Sequence, residues 1–445
     1  MLAILANRTY RHLFAAQVIA LIGTGMMTVA LGLLAFKIAG DKAGAVLGTA
    51  LAIKMIAYVG VAPVVGAFAN LLPRRAFLVS MDIARASVAL ALPFVDQVWQ
   101  VYLLIFILQS ASAAFTPTFQ ATIPDILPDE SEYTRALSLS RLAYDMESLL
   151  SPMLAAALLT VITFNWLFLG TVVGFFCSAA LVLSVTIPQP APAERKEGIY
   201  ENITRGIRIY LATPRLRGLL ALNLSVAAAG AMVIVNTVVL VRGLLGGTDG
   251  DVAIALACFG GGSMVAALSL PRLLDRMPDR AVMLPSASAF GFILLGFAAV
   301  MFLSKSAVVA SNWIWPSLLV TWTLLGAAYS AVMTPSGRLL RRSAQPIDRP
   351  AVFAAQFALS HACWLLTYPL AGWMGSSIGM VPTIAVLAAI SLAGVMLAVQ
   401  FWPATDSEVI PHQHPELSSD HPHVSGESSS HAHVYVIDNL HHRWP

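Results

Sequence analysis

A helix needs about 20 consecutive apolar residues to cross roughly 30 Å of hydrocarbon, and this chain offers such a stretch repeatedly. Apolar segments fall at 12–37, 43–70, 76–95, 99–121, 136–162, 164–187, 216–243, 250–274, 281–303, 312–336, 351–376 and 380–403. Inside a bilayer no water pairs with the backbone, so each segment must satisfy its own N–H and C=O groups, which a helix does. Hydrophobic residues make up 58% of the chain and charged residues only 11%, where soluble domains carry about 25% charge. Composition therefore excludes a soluble core and predicts an all-α membrane protein with twelve transmembrane helices.

The 26 Lys and Arg are placed unevenly. Arg8, Arg11, Arg74, Arg75, Arg135, the cluster from Arg195 to Arg217, Arg272, Arg276, Arg280, Arg338, Arg341, Arg342, Arg349 and Arg443 fall in the N-terminus, the even-numbered connections and the tail. Lys37, Lys42, Arg242 and Lys305 border the odd-numbered loops. Basic loops stay on the cytoplasmic side, so both termini are expected in the cytoplasm of a bacterial inner-membrane protein. Cys177, Cys258 and Cys363 lie within apolar segments and imply no disulfide framework.

Residues 188–215, with Pro188, Pro190 and Pro192 followed by a basic stretch, interrupt the pattern with six segments on either side. The expected organisation is an N-terminal bundle (1–187), a linker (188–215), a C-terminal bundle (216–403) and a polar tail (404–445). Weak internal echoes support duplication. Pro73-Arg74-Arg75-Ala76 returns as Pro278-Asp279-Arg280-Ala281, Thr116-Pro117 as Thr334-Pro335, and Ser151-Pro152 as Tyr368-Pro369.

The loop after the second segment carries Gly66, Asn70, Arg74 and Arg75, and its echo carries Asp275, Arg276 and Arg280. With the 6+6 arrangement, this resembles the major facilitator superfamily, in which the loop helps latch the two bundles at the cytoplasmic face. Asn70 stands where that family usually has Asp, and Pro73 where it usually has Gly. Asn7-Arg-Thr-Tyr-Arg11, Pro124-Asp125-Ile-Leu-Pro128 and the His-rich end resemble the nickel-resistance permeases of the superfamily. The resemblance implies two six-helix bundles, alternating access, proton coupling and export of nickel or cobalt by a monomer.

Ionisable groups within a bilayer cost a few kcal/mol or more and mark pathways or ion pairs. Counted at about 1.5 Å per residue, Lys54, Asp145, Glu147 and His361 lie near mid-depth, with Asp82 and Arg85 slightly shallower. Asp82 and Arg85 (i, i+3) and Arg141 and Asp145 (i, i+4) are spaced to pair on one helix face. Glu147 has no partner on its own helix, and Lys54 is the cation at similar depth. Two readings remain open: structural ion pairs, or Glu147 or Asp145 as a proton carrier or cation ligand. His361, with Cys363 and Gln356, is a candidate soft-cation site.

The tail carries His412, His414, His421, His423, His431, His433, His441 and His442, imidazoles of the kind Ni, Co and Zn accept. Residues i and i+2 of an extended chain point the same way. Each His-x-His pair is therefore expected to present two imidazoles to one ion, in a labile site. Residues 404–433 are too polar to form a core, whereas 434–445 are apolar and aromatic and are expected to dock against the bundles. No nucleotide motif, catalytic triad or cofactor fingerprint occurs, and no nucleic-acid partner is implied. The expected function is export of a divalent metal, nickel or cobalt, by proton antiport. The alternative is export of a small organic molecule, a siderophore or drug, with a metal-responsive tail.

Overall fold

The computed structural model describes residues 2–68, 73–129, 157–188, 199–305, 311–345, 348–405, 409–413, 430–438, 440–441 and 443–444, together with 132, 135, 136, 139, 140, 143, 147, 151 and 153–155. The helices are α1 (Arg8–Ala39), α2 (Ala43–Phe68), α3 (Arg74–Ala91), α4 (Val98–Ile126), α5 (Phe164–Leu183) and α6 (Ile199–Ala212). They continue with α7 (Pro214–Val238), α8 (Asp249–Leu274), α9 (Asp279–Lys305), α10 (Ile314–Arg342), α11 (Arg349–Ser377) and α12 (Met380–Phe401). Ten helical stretches among the described residues are long and apolar enough to cross a membrane, and the first, Arg8–Val61, takes in most of both α1 and α2. The fifth expected segment lies largely outside the described residues; those described between Arg135 and Leu159 are helical.

Local chemistry sets the boundaries. α1 begins at Asn7, whose side chain accepts the Tyr10 N–H at 3.1 Å, a cap worth about 1 kcal/mol. Pro214 opens α7, where its missing N–H costs nothing. Large apolar side chains stay exposed along the helices, among them Phe94, Val265, Leu268, Phe292 and Met396. In water such a belt would drive aggregation; in hydrocarbon it is the required outer surface.

α1 packs on α5, α3 on α4 and α5, and α2 on α4; α7 packs on α11 and α12, α8 on α10, and α9 on α10 and α12. The main contact between these two groups is α2 against α11. It is a backbone-to-backbone seam. A Cβ at Gly48 would lie 2.5 Å from the Tyr368 carbonyl, and one at Gly372 would collide with the Gly44 carbonyl. Trp373 Nε1 donates to Thr49 Oγ1 at 3.0 Å, and Asn236 Nδ2 of α7 to the Ala371 carbonyl at 3.0 Å. This seam closes the end of the molecule opposite the arginine-rich loops.

α6 is the exception to the spanning pattern. Ile209 and Tyr210 are buried while Arg208 is exposed, so it lies on the molecule rather than across a bilayer. Arg205 pairs with Asp348 at 2.7 Å, and the Tyr210 hydroxyl donates to Gln356, fixing α6 along the first turns of α11.

Candidate transport site and histidine centre

Asp82 and Arg85 of α3 are buried and joined as their spacing predicts. Ser178 Oγ of α5 donates to the second Asp82 oxygen at 2.7 Å. The guanidinium of Arg85 is sandwiched between Phe115 of α4 and Phe175 of α5, at 4.4 and 4.6 Å from the ring centroids. A neighbouring cavity of about 30 Å³ is lined by Gln17, Thr24, Tyr58, Arg85, Ser112 and Thr116, room for about one water. Both oxygens of Asp82 are thus engaged, while Arg85 Nε has no hydrogen-bond partner among the described residues.

Glu147 is built differently. Its carboxylate lies beside Gly25 of α1 and is half-buried. The charge of Lys54 on α2 acts on it, and it acts in turn on Tyr368 of α11. No direct ion pair joins Glu147 and Lys54 among the described residues. Lys54 lies 5.9 Å from the Tyr58 ring, and Tyr58 stacks on His361 of α11 at 5.5 Å, with Phe357 3.9 Å from His361. Lys54, Tyr58 and His361 thus gather between α2 and α11, with Glu147 beside α1 within range of the Lys54 charge. Arg141 and Asp145 lie outside the described residues. Gln356 is turned to α6, where it accepts from the Tyr210 hydroxyl, and its position puts it on another side of α11 from His361. Tyr58 and Tyr368 escaped the sequence reading, since an aromatic residue in an apolar run looks like packing.

At the arginine-rich end the first copy of the loop pairs Arg74 with Asp125 of α4, and Arg75 donates to the Leu183 carbonyl. Asn70 is outside the described residues. In the second copy the acid is Asp279, not Asp275. Asp279 begins α9 and is buried, where it accepts from Arg338 Nε at 3.0 Å and lies 3.8 Å from Arg342 of α10. Asp275 is in the connecting turn, four residues too early to face α10, and has no ion pair among the described residues. Arg280 caps the Trp402 carbonyl at 3.0 Å, and Arg276 lies on the groove between α8 and α9.

The tail is ordered where described. Strands β1 (Val409–Gln413) and β2 (Ser430–Val434) pair antiparallel, with Ile410 opposite His433 and His412 opposite His431. The described ends of the polar 404–433 stretch thus pair as a hairpin. Among the described residues one imidazole from each of three pairs comes together. His412, His433 and His441 come together, their ligand atoms all within 4.8 Å of one another. His412 and His433 are diagonal neighbours on one face of the strand pair, within reach of each other's rings. His414, His421, His423 and His442, and the side chain of His431, lie outside the described residues.

Each of the three rings engages an oxygen through Nδ1: His412 with Ile410 O at 2.9 Å, His433 with Val434 O at 2.8 Å, and His441 with Asp438 Oδ1 at 2.9 Å. His412 Nε2 faces His441 Nε2 at 3.0 Å. Burial pushes the Asp438 carboxyl up, but the N–H groups of His441 and Leu440 and the His441 ring outweigh this and hold it below the ordinary carboxylate range.

The last residues dock as expected. Tyr435 and Ile437 are buried in the main core. Gln345, just past α10, donates to Asp438 Oδ2 at 2.9 Å, and the buried Arg215 guanidinium of α7 lies 5.2 Å from the Trp444 ring.

A bundle of long apolar helices with a half-buried acid and a glycine seam between its two groups is the architecture of a multi-pass transporter. The sequence profile of the Major Facilitator Superfamily matches residues 13–311, and the chain belongs to that family. It is 23% identical over 295 residues to the uncharacterized MFS-type transporter YfiS of Bacillus subtilis (strain 168), covering 64% of this chain and 67% of that one. It is 26% identical to macrolide efflux protein A of Enterococcus faecalis, covering 40% of this chain and 58% of that one. The matches thus span about half to two thirds of these curated relatives. Among solved structures, a POT family transporter in complex with 5-aminolevulinic acid superposes with a TM-score of 0.67 at 10% identity, covering 89% of this chain and 96% of that one. A D-xylose–proton symporter gives 0.64 at 13%, covering 91% and 98%. These likenesses show the fold.

Proposed function

We propose that the chain exports a divalent metal ion, nickel or cobalt, from the cytoplasm by alternating access coupled to inward proton movement. The observation that carries this reading is the convergence of three imidazoles from distant parts of the tail beside the arginine-rich end of the helices. The bias of basic loops puts that end in the cytoplasm. There the histidines raise the local concentration of metal at the mouth of the pathway. Residues 1–187 and 216–403 act as the two rocking units, with the 188–215 linker between them and the Arg74–Asp125 and Asp279–Arg338 pairs as their latches. Glu147 is the coupling group: it is half-buried, lies beside Lys54 and faces α11 of the opposite unit. A site near the midplane between repeats is where such transporters bind substrate and coupling ion.

Cells expressing the protein are expected to accumulate less Ni²⁺ or Co²⁺ and to tolerate more of it. Unchanged accumulation sinks this reading and favours a second one, export of a small organic molecule. Two observations speak for that alternative: the aromatic groups Tyr58, Phe357, Trp364 and Tyr368 near Glu147, and the similarity to macrolide efflux proteins. Removal of residues 404–445 is expected to weaken metal resistance while leaving transport measurable; complete loss places the essential site in the tail.

A further inference from the structure

Three hydrogen bonds decide the chemistry of the histidine centre. A carbonyl or ionised carboxylate oxygen only accepts, so the Nδ1 atoms of His412, His433 and His441 carry the protons. In a neutral ring Nε2 then holds a lone pair. Yet His412 Nε2 and His441 Nε2 stand 3.0 Å apart, with the His433 ring 4.6 and 5.2 Å from theirs between centroids. Two lone pairs at that distance repel unless a proton or a metal ion lies between them, and a metal ion would draw in the third ring as well. Nδ1–H bonds to backbone carbonyls and a carboxylate are also the outer support that metal-bound histidines have.

We infer that His412, His433 and His441 supply three ligands of a resident site for one first-row divalent cation of the Zn²⁺, Ni²⁺ or Co²⁺ class, and that its occupancy fastens the tail to the ends of α7 and α10. The site differs from the labile collector expected of His-x-His pairs. It links three separate pieces of chain: β1, β2 and the segment after them. Asp438 is the joint. Its Oδ1 orients His441 and takes the N–H groups of Leu440 and His441, while its Oδ2 accepts from Gln345. Next to that contact, Arg215 under Trp444 donates to Ser343 Oγ at 2.8 Å and to the Arg342 carbonyl at 3.2 Å. Arg342 in turn faces Asp279. Metal at the three imidazoles therefore acts, through Asp438, on the helix ends that carry the second latch. The inference rests on the metal-binding part of the proposed function, and not on what crosses the membrane.

The test uses the full-length protein in detergent, stripped with a chelator and titrated with Zn²⁺, Ni²⁺ and Co²⁺ while hydrogen exchange of residues 430–441 is followed. A variant carrying His414→Ala, His421→Ala, His423→Ala and His442→Ala is expected to keep one tightly bound ion per chain and to show slowed exchange when it binds. His433→Ala is expected to lose both. Asp438→Asn keeps the three ligands and is expected to weaken binding about 10–100-fold. If the four-histidine variant holds no tight ion, or His433→Ala binds as the parent does, the site is overturned. A bound ion that leaves exchange unchanged overturns the fastening. Failure of vesicles to transport Ni²⁺ while the tight ion remains bound overturns the export reading and leaves this site standing.

Discussion

Two carboxylate–cation pairs occupy the interior of the first helices, and they are finished to different degrees. Asp82 and Arg85 touch directly; Ser178 takes the remaining carboxylate oxygen, and two aromatic rings enclose the guanidinium. Glu147 and Lys54 sense each other's charge without a direct bond among the described residues, and Glu147 also reaches across to Tyr368. A carboxylate with both oxygens partnered has little to gain from a passing ion or proton. One with no such partner among the described residues does. Both pairs look alike as letters in an apolar run, so the difference separates a structural strut from a group able to take part in transport.

Four substitutions test that contrast. The largest effect is expected at Glu147→Gln, which should abolish coupled transport in proteoliposomes while the protein stays folded and monodisperse; full activity would return Glu147 to a structural role. Asp82→Ala strands the buried Arg85 charge and should lower stability by about 3–5 kcal/mol, read as a large drop in thermal unfolding temperature and in membrane yield. If Asp82→Ala instead folds normally and only transport fails, the two pairs have been assigned the wrong way round. Ser178→Ala removes a single hydrogen bond to an ionised group, worth about 1.5–3 kcal/mol, and should lower the unfolding temperature with transport by the surviving protein intact. The smallest effect is expected at Lys54→Gln: a several-fold slower transport rate at unchanged unfolding temperature, since a long-range charge contributes about 1 kcal/mol or less when no direct bond is made.

The helices were readable because hydrocarbon imposes one rule on every segment. A run of about 20 apolar residues must become a helix, so the expected segments 164–187, 250–274 and 380–403 nearly coincide with α5, α8 and α12. The Asp82–Arg85 pair was equally legible, because i, i+3 spacing is local geometry. The ion pairing of the second loop was not. Asp275 and Asp279 flank the same turn, and only the start of α9 decides which one faces Arg338 and Arg342. His361 was marked for its chemistry, but its assigned neighbour Gln356 faces α6 instead. Tyr58 and Tyr368 gave no signal because their role depends on helices far away in the chain.

The sequence by itself determined that this chain lives in a bilayer as a helical bundle, that basic loops gather at one end, and that its last residues carry metal-seeking imidazoles. Those properties follow from composition and local spacing. Tertiary structure alone decided which imidazoles meet. Strand pairing brought His412 beside His433, a turn held by Asp438 added His441, and Gln345 and Arg215 fastened that turn to the bundle. Contacts between residues far apart in the chain depend on register and docking, which no local pattern of histidines encodes.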